Sequence, residues 1–201
     1  MVNFIKQKLR EILLNEGKQV GSLYHFTRLQ YAIMILGQNH MKKHVENGVT
    51  GIPMTRNKDF WNIERPINGI DVRFEFDGNS ISNKFKIRPF NAFTHSTRNP
   101  KDPQYNESEE RVLIEDIRDF NVSDYLLNIT INFDTIIENI KIRNTTGDNF
   151  GKEVLNALNV IKQLKAVAES KQIPIKWYGN KIFTDAAISD SIKLFLKNLM
   201  K

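Results

Sequence analysis

The chain contains no cysteine. Disulfides, zinc–thiolate sites and thiol nucleophiles are thereby excluded, and a reducing compartment is compatible with the composition. Proline and glycine are sparse, 6 and 10 among 201 residues, and no low-complexity tract or linker divides the chain. No apolar run reaches the length of about 18 residues that a membrane span requires. The stretch Met1 to Glu16 is charged and helical in pattern, without the apolar block and small-residue cleavage site of a signal peptide. The glycine-built nucleotide cradles are missing too: there is no GxxxxGK loop, no GxGxxG turn after a strand, and no GxSxG elbow.

What is present fits one ordinary globular domain spanning residues 1–201. The composition is 40% hydrophobic and 26% charged, and a chain of this length buries about 70% of the surface its unfolded form exposes. The net charge is +6 and the pI about 9.4, which points to an anionic partner. The Lys and Arg residues are scattered, however, so charge alone does not single out nucleic acid.

Helical spacing marks residues 2–16, stopped by Gly17, then about 28–38, Phe133 to Ile142, Glu153 to Lys171, and Ala186 to Met200. Strand patterns fall at Ser22 to Thr27, Gly51 to Thr55, Asp71 to Phe76, Lys84 to Arg88, Glu109 to Ile114, Tyr125 to Asn132, and Ile173 to Tyr178. Pro53 argues for an edge position or an irregular pairing. Asp77-Gly78-Asn79-Ser80 has turn chemistry, and Asn91 to Ser108 reads as a long polar loop of the kind that is functional or disordered. Strands dominate the middle and helices both ends, which predicts an α+β fold. His40 and His44 have a spacing that could share one helix face with Glu46 nearby, but no third ligand is identifiable and Lys42 and Lys43 oppose a dication, so no metal is expected.

Three segments look chemical when taken together: Tyr24-His25-Phe26-Thr27, Met54-Thr55-Arg56-Asn57-Lys58-Asp59-Phe60, and Glu107-Ser108-Glu109-Glu110-Arg111-Val112-Leu113. In this order and over roughly residues 20–135 they resemble the ADP-ribosyltransferase superfamily, and within it the DarT-like and phage-encoded branches. The resemblance implies a mostly antiparallel split β-sheet core with flanking N- and C-terminal helices. It also implies transfer of ADP-ribose from NAD, a co-substrate, to a macromolecular acceptor, nucleic acid or protein, without a metal.

That chemistry passes through an oxocarbenium-like state, so negative charge must stand beside the developing cation. The resemblance assigns this role to Glu110, with Glu109 as its alternative because strand alternation places the two on opposite faces. It assigns the NAD ribose to His25, the nicotinamide amide to the backbone around Phe26, and hydroxyl contacts to Thr27 and Thr55. Arg56 would pair the pyrophosphate oxygens, and Phe60 would stack on nicotinamide. Strand alternation sets Leu23, His25 and Thr27 on one face, read as the cleft side. Tyr105 and Asn106 precede the glutamate and would help select the acceptor. A departure from the family pattern is the lack of a tyrosine near Thr55. Arg73, Arg88 and Arg98 are candidates to line an anionic groove, or are simply solvated.

The implied setting is the cytoplasm of a bacterium or phage-infected host, with a toxin-like role and a neutralising partner protein. The alternatives are a non-catalytic nucleotide- or nucleic-acid-binding protein on the same fold and, ranked last, NAD-using RNA 2′-phosphotransferase chemistry.

Overall fold

The computed structural model describes residues 20–46, 49–59, 70–90, 109–114, 119–143, 149–184 and 188–200. The N-terminal helix expected over residues 2–16 and the polar loop over 91–108 lie outside them.

Period-two alternation builds the first sheet. In strand β4 (Val72–Asp77) the residues Val72, Phe74 and Phe76 are fully buried, while Arg73 and Glu75 take the opposite face. Strand β1 (Ser22–Thr27) pairs with it antiparallel, setting Leu23 opposite Phe76, His25 opposite Phe74 and Thr27 opposite Val72. On the other side of β4 lies β7 (Leu126–Asn132), also antiparallel, and β8 (Ile175–Tyr178) joins β7 in parallel as the edge strand. The order is β1-β4-β7-β8. A parallel pair needs a crossover, here supplied by helices α4 (Phe133–Arg143) and α5 (Phe150–Ser170).

The second sheet is antiparallel throughout. It contains β2 (His44–Glu46), β3 (Val49–Met54), β5 (Lys86–Phe90) and β6 (Glu109–Leu113) in the order β2-β3-β6-β5. The fold is mixed α+β with mostly antiparallel sheets.

Helix α1 (Leu29–Gln38) buries Leu29, Ala32 and Leu36, and α5 buries Val154, Leu158, Ile161, Leu164 and Ala168, spacings that keep one stripe facing inward. The two helices pack together, and α7 (Asp190–Leu199) adds Ile192, Leu196 and Leu199 to the same connected core. Among the described residues no helix is long and apolar enough to cross a membrane.

Two local expectations are corrected. The Asp77-Gly78-Asn79-Ser80 stretch is a helix start: α2 (Gly78–Lys84) is capped by the Asp77 carboxylate, which accepts from the amides of Asn79 and Ser80 at 3.0 and 3.1 Å. Residues that favour turns also favour N-caps, because both tasks need a short side-chain acceptor. His40 and His44 do not share a helix face, since α1 ends at Gln38, Asn39 turns left-handed at φ 57°, and His44 begins β2. A four-residue α3 (Val122–Tyr125) precedes β7, and α6 (Lys181–Thr184) follows β8.

Candidate functional site

The two sheets meet where β1 runs beside the end of β3. Tyr24 and Thr55 exchange both backbone hydrogen bonds, each at 2.8 Å, and form one isolated antiparallel bridge. In an antiparallel ladder the next hydrogen-bonded pair lies two residues on, here Phe26 with Pro53. Proline has no N–H, so half of that pair cannot form and the ladder does not propagate. Pro53 keeps regular register with Arg111 of β6, and the irregularity expected of it falls on its β1 side, where the pairing ends.

The Pro53 carbonyl is instead taken by a side chain. His25 Nδ1 lies 2.9 Å from Pro53 O, and a carbonyl can only accept, so the ring carries its proton on Nδ1. Desolvation by burial lowers the His25 pKa to about 4, outweighing the contribution of the Pro53 bond. The imidazole is therefore neutral near pH 7, and Nε2 is an acceptor. Its ring stacks against fully buried Phe74, with centroids 6.4 Å apart.

The face shared by Leu23, His25 and Thr27 is the packed one, contrary to the expectation that it lines a cleft. Its cross-strand neighbours Val72, Phe74 and Phe76 are all fully buried, and Thr27 is buried with them. His25 alone of the three stays partly exposed, at the edge where the ladder stops.

Thr55 is buried, and its Oγ1 accepts from the Asn57 amide at 3.1 Å in a local turn that aims the chain away from β3. Arg56 follows on the exposed side. The third segment reaches the same junction through β6: Glu110 is in register with Met54, directly before Thr55, and Glu109 with Phe90 on the outer strand. The strands carrying His25, Thr55 and Glu110 are therefore adjacent, in the order β1, β3, β6. Phe26 lies between His25 and Thr27 on β1 and is partly buried. Phe60, Tyr105 and Asn106 lie outside the described residues.

Arg73 is occupied within its own sheet. Its guanidinium lies 5.2 Å from the centroid of the Tyr24 ring and donates to the Lys58 carbonyl at 2.6 Å and to Thr130 Oγ1 at 3.1 Å. It thereby ties the segment after Thr55 onto the outer face of β1, β4 and β7. Beside it, burial would raise the Glu75 carboxyl, but hydrogen bonds from Asn128 at 2.8 Å and Ser22 at 3.0 Å, with Lys176 and Arg73 near, leave it below its ordinary value.

Sequence reasoning missed Asp71 and Asn139, which meet although 68 positions separate them. The only signal was an acid placed just before the alternating run of β4. Among the described residues no group of three or more His, Asp or Glu converges as a metal site would. No protein-family model, curated protein or solved structure matches the chain.

Proposed function

We propose that this protein is an NAD-dependent ADP-ribosyltransferase acting on a macromolecular acceptor, on a split sheet of the ADP-ribosyltransferase kind. One observation carries the reading. At the point where Pro53 stops the β1–β3 ladder, a neutral histidine with a fixed tautomer stands two strands from a glutamate-bearing strand start.

His25 Nε2, an acceptor, takes the hydrogen bond of a ribose hydroxyl, while Nδ1 stays on Pro53. A protonated histidine would offer a donor there and repel the positively charged nicotinamide ring. Arg56, on the exposed side of the same junction, pairs pyrophosphate oxygens, and Thr55 and the Phe26 backbone complete the hold on NAD, with Thr27, buried on the packed face, left out of it. Glu110 sets its charge beside the ribose carbon. The bond from that carbon to nicotinamide breaks, nicotinamide leaves with the electron pair, and the acceptor's nucleophile closes on the carbon as its proton passes to the glutamate. A nucleic-acid acceptor fits the basic balance taken together with the DarT-like segments, and a protein acceptor is its close competitor.

The test is nicotinamide release from NAD by the wild type, Glu110→Gln and Glu109→Gln, with and without single-stranded DNA, RNA or cell extract. Loss of a positioned acid–base group costs about 10²- to 10⁴-fold, so Glu110→Gln should fall by that much and Glu109→Gln by far less. The reverse order would reassign the role to Glu109. Absence of release from folded wild type under every condition, with NAD still bound, would support the non-catalytic binding reading.

A further inference from the structure

A pocket of about 480 Å³ opens at the far end of β1, where α1 begins and α4 ends. Arg28 lies three residues beyond His25, about 10 Å along the chain. The site is thus separate from the β1–β3 junction, and nothing in the transferase reading uses it.

The floor of the pocket is rich in acceptors. Asp71 receives the Leu29 amide on Oδ2 at 3.3 Å and Asn139 Nδ2 on Oδ1 at 3.0 Å. Asn139 is only 6% exposed, and with its amide nitrogen committed to Asp71 its Oδ1 has no hydrogen-bond partner. A buried acceptor left in this state costs about 1–3 kcal/mol, but Asn139 Oδ1 is closed off from solvent, so the acceptor within reach of a ligand is the part-exposed Asp71 carboxylate. The Asp71 carboxyl is pushed above its ordinary range by burial, against the hydrogen bonds from Asn139 and Leu29 and the charges of Arg143 and Arg28.

The rim has the opposite character. Arg28 and Arg143 line it; Arg143 also lies 3.7 Å from Glu153 and donates from Nε to the Asn139 carbonyl, and the amide that opens α1 is already taken by Asp71. Tyr31 and Ile142, each about half exposed, add an aromatic face and an apolar surface. The pocket therefore asks for hydrogen-bond donors at its base, a multiply charged anion at its rim and a flat ring alongside. A sugar diol or exocyclic amine, a phosphate and a base supply these together. The volume lies within the range of small-molecule sites and exceeds what inorganic phosphate or a free amino acid would fill.

We propose that this pocket binds a mononucleotide unit, with the phosphate between Arg28 and Arg143, the base against Tyr31, and sugar or base donors on Asp71, which Asn139 holds in place. A free nucleotide and the 5′-phosphorylated end of a strand share that chemistry.

Calorimetric titration of the full chain with AMP, GMP, CMP and UMP, with adenosine, with inorganic phosphate, and with a tetranucleotide with and without a 5′-phosphate tests it. Tyr31→Ala alters an exposed side chain and should leave the melting temperature unchanged, while Arg143→Ala also loses the exposed pair with Glu153 and the bond to the Asn139 carbonyl and should lower it only slightly. Each should weaken nucleotide binding about tenfold or more. Preference for the phosphorylated tetranucleotide over free nucleotides would name a strand end as the source, and the converse a free nucleotide. Three results would overturn the proposal: no nucleotide bound by the folded wild type, inorganic phosphate bound as tightly as any nucleotide, or binding lost in His25→Ala but retained in Arg143→Ala. Nicotinamide release is measured separately in the same variants, so this pocket and the transferase reading fail independently.

Discussion

Acid should weaken this fold through His25 in a window that ordinary histidines do not share. The ring is held neutral in the folded protein, with a pKa lowered from 6.5 to about 4 by desolvation. Between those values the unfolded chain binds the proton and the folded one does not, so stability rises with pH across the window. The stability is fully present above about pH 6.5 and is lost as pH falls toward 4. At about 1.4 kcal/mol per pH unit the difference amounts to about 3 kcal/mol, an upper figure because the ring edge keeps some contact with solvent. Urea unfolding of the wild type and His25→Gln at pH 7, 5.5 and 4 isolates the effect, since every other titrating group is common to both. Glutamine loses the stack on Phe74, so the variant starts less stable at pH 7, but the gap should close by up to about 3 kcal/mol by pH 4. Parallel curves would refute the reasoning. So would an NMR titration of the His25 ring protons with a midpoint near 6.5, and a protonated Nε2 at pH 7 would remove the acceptor on which the NAD contact depends.

Other expectations follow from the packing. Phe74→Ala removes a fully buried ring beneath His25 and should cost about 3–5 kcal/mol in urea unfolding. Gly78→Ala drives a Cβ into the Gly21 carbonyl oxygen and to 2.9 Å from Val20 Cγ1, and should cost about 1–3 kcal/mol with a matching drop in melting temperature. Pro53→Ala supplies the missing N–H, so hydrogen exchange should reveal a newly protected amide at position 53 as the β1–β3 ladder extends, with NAD affinity reduced. An unprotected amide there would mean that something other than the proline ends the ladder.

The legible parts of this sequence are those governed by short-range periodicity. The run from Val72 to Asp77 alternates so cleanly that strand and buried face follow from the residue types, and the spacing from Val154 to Ala168 defines a helix with one inward stripe. What stayed hidden depends on neighbours distant in sequence. The strand around His25 was readable, but which face is packed is decided by Val72, Phe74 and Phe76 across the ladder. The proximity of Thr55 to the strand of Glu110 rests on a register between residues 54 and 110 that no local pattern encodes. The pocket acid gave little signal, because Asp71 and Asn139 meet only once α4 has folded back over the strand ends. The helix at Gly78 was hidden for another reason, since one set of side-chain acceptors serves both turns and caps.

The bridge between Tyr24 and Thr55 also has a mechanical meaning. Among the described residues, two backbone hydrogen bonds and the His25 contact to Pro53 stitch the sheets together at this seam. The ladder cannot extend past this one pair, while Ile52, Met54 and Val112 of the second sheet share one buried core with Phe74 and Phe76 of the first, so packing holds the sheets together where hydrogen bonds stop. The Tyr24 and Thr55 amides are therefore where hydrogen exchange would register relative movement of the two sheets.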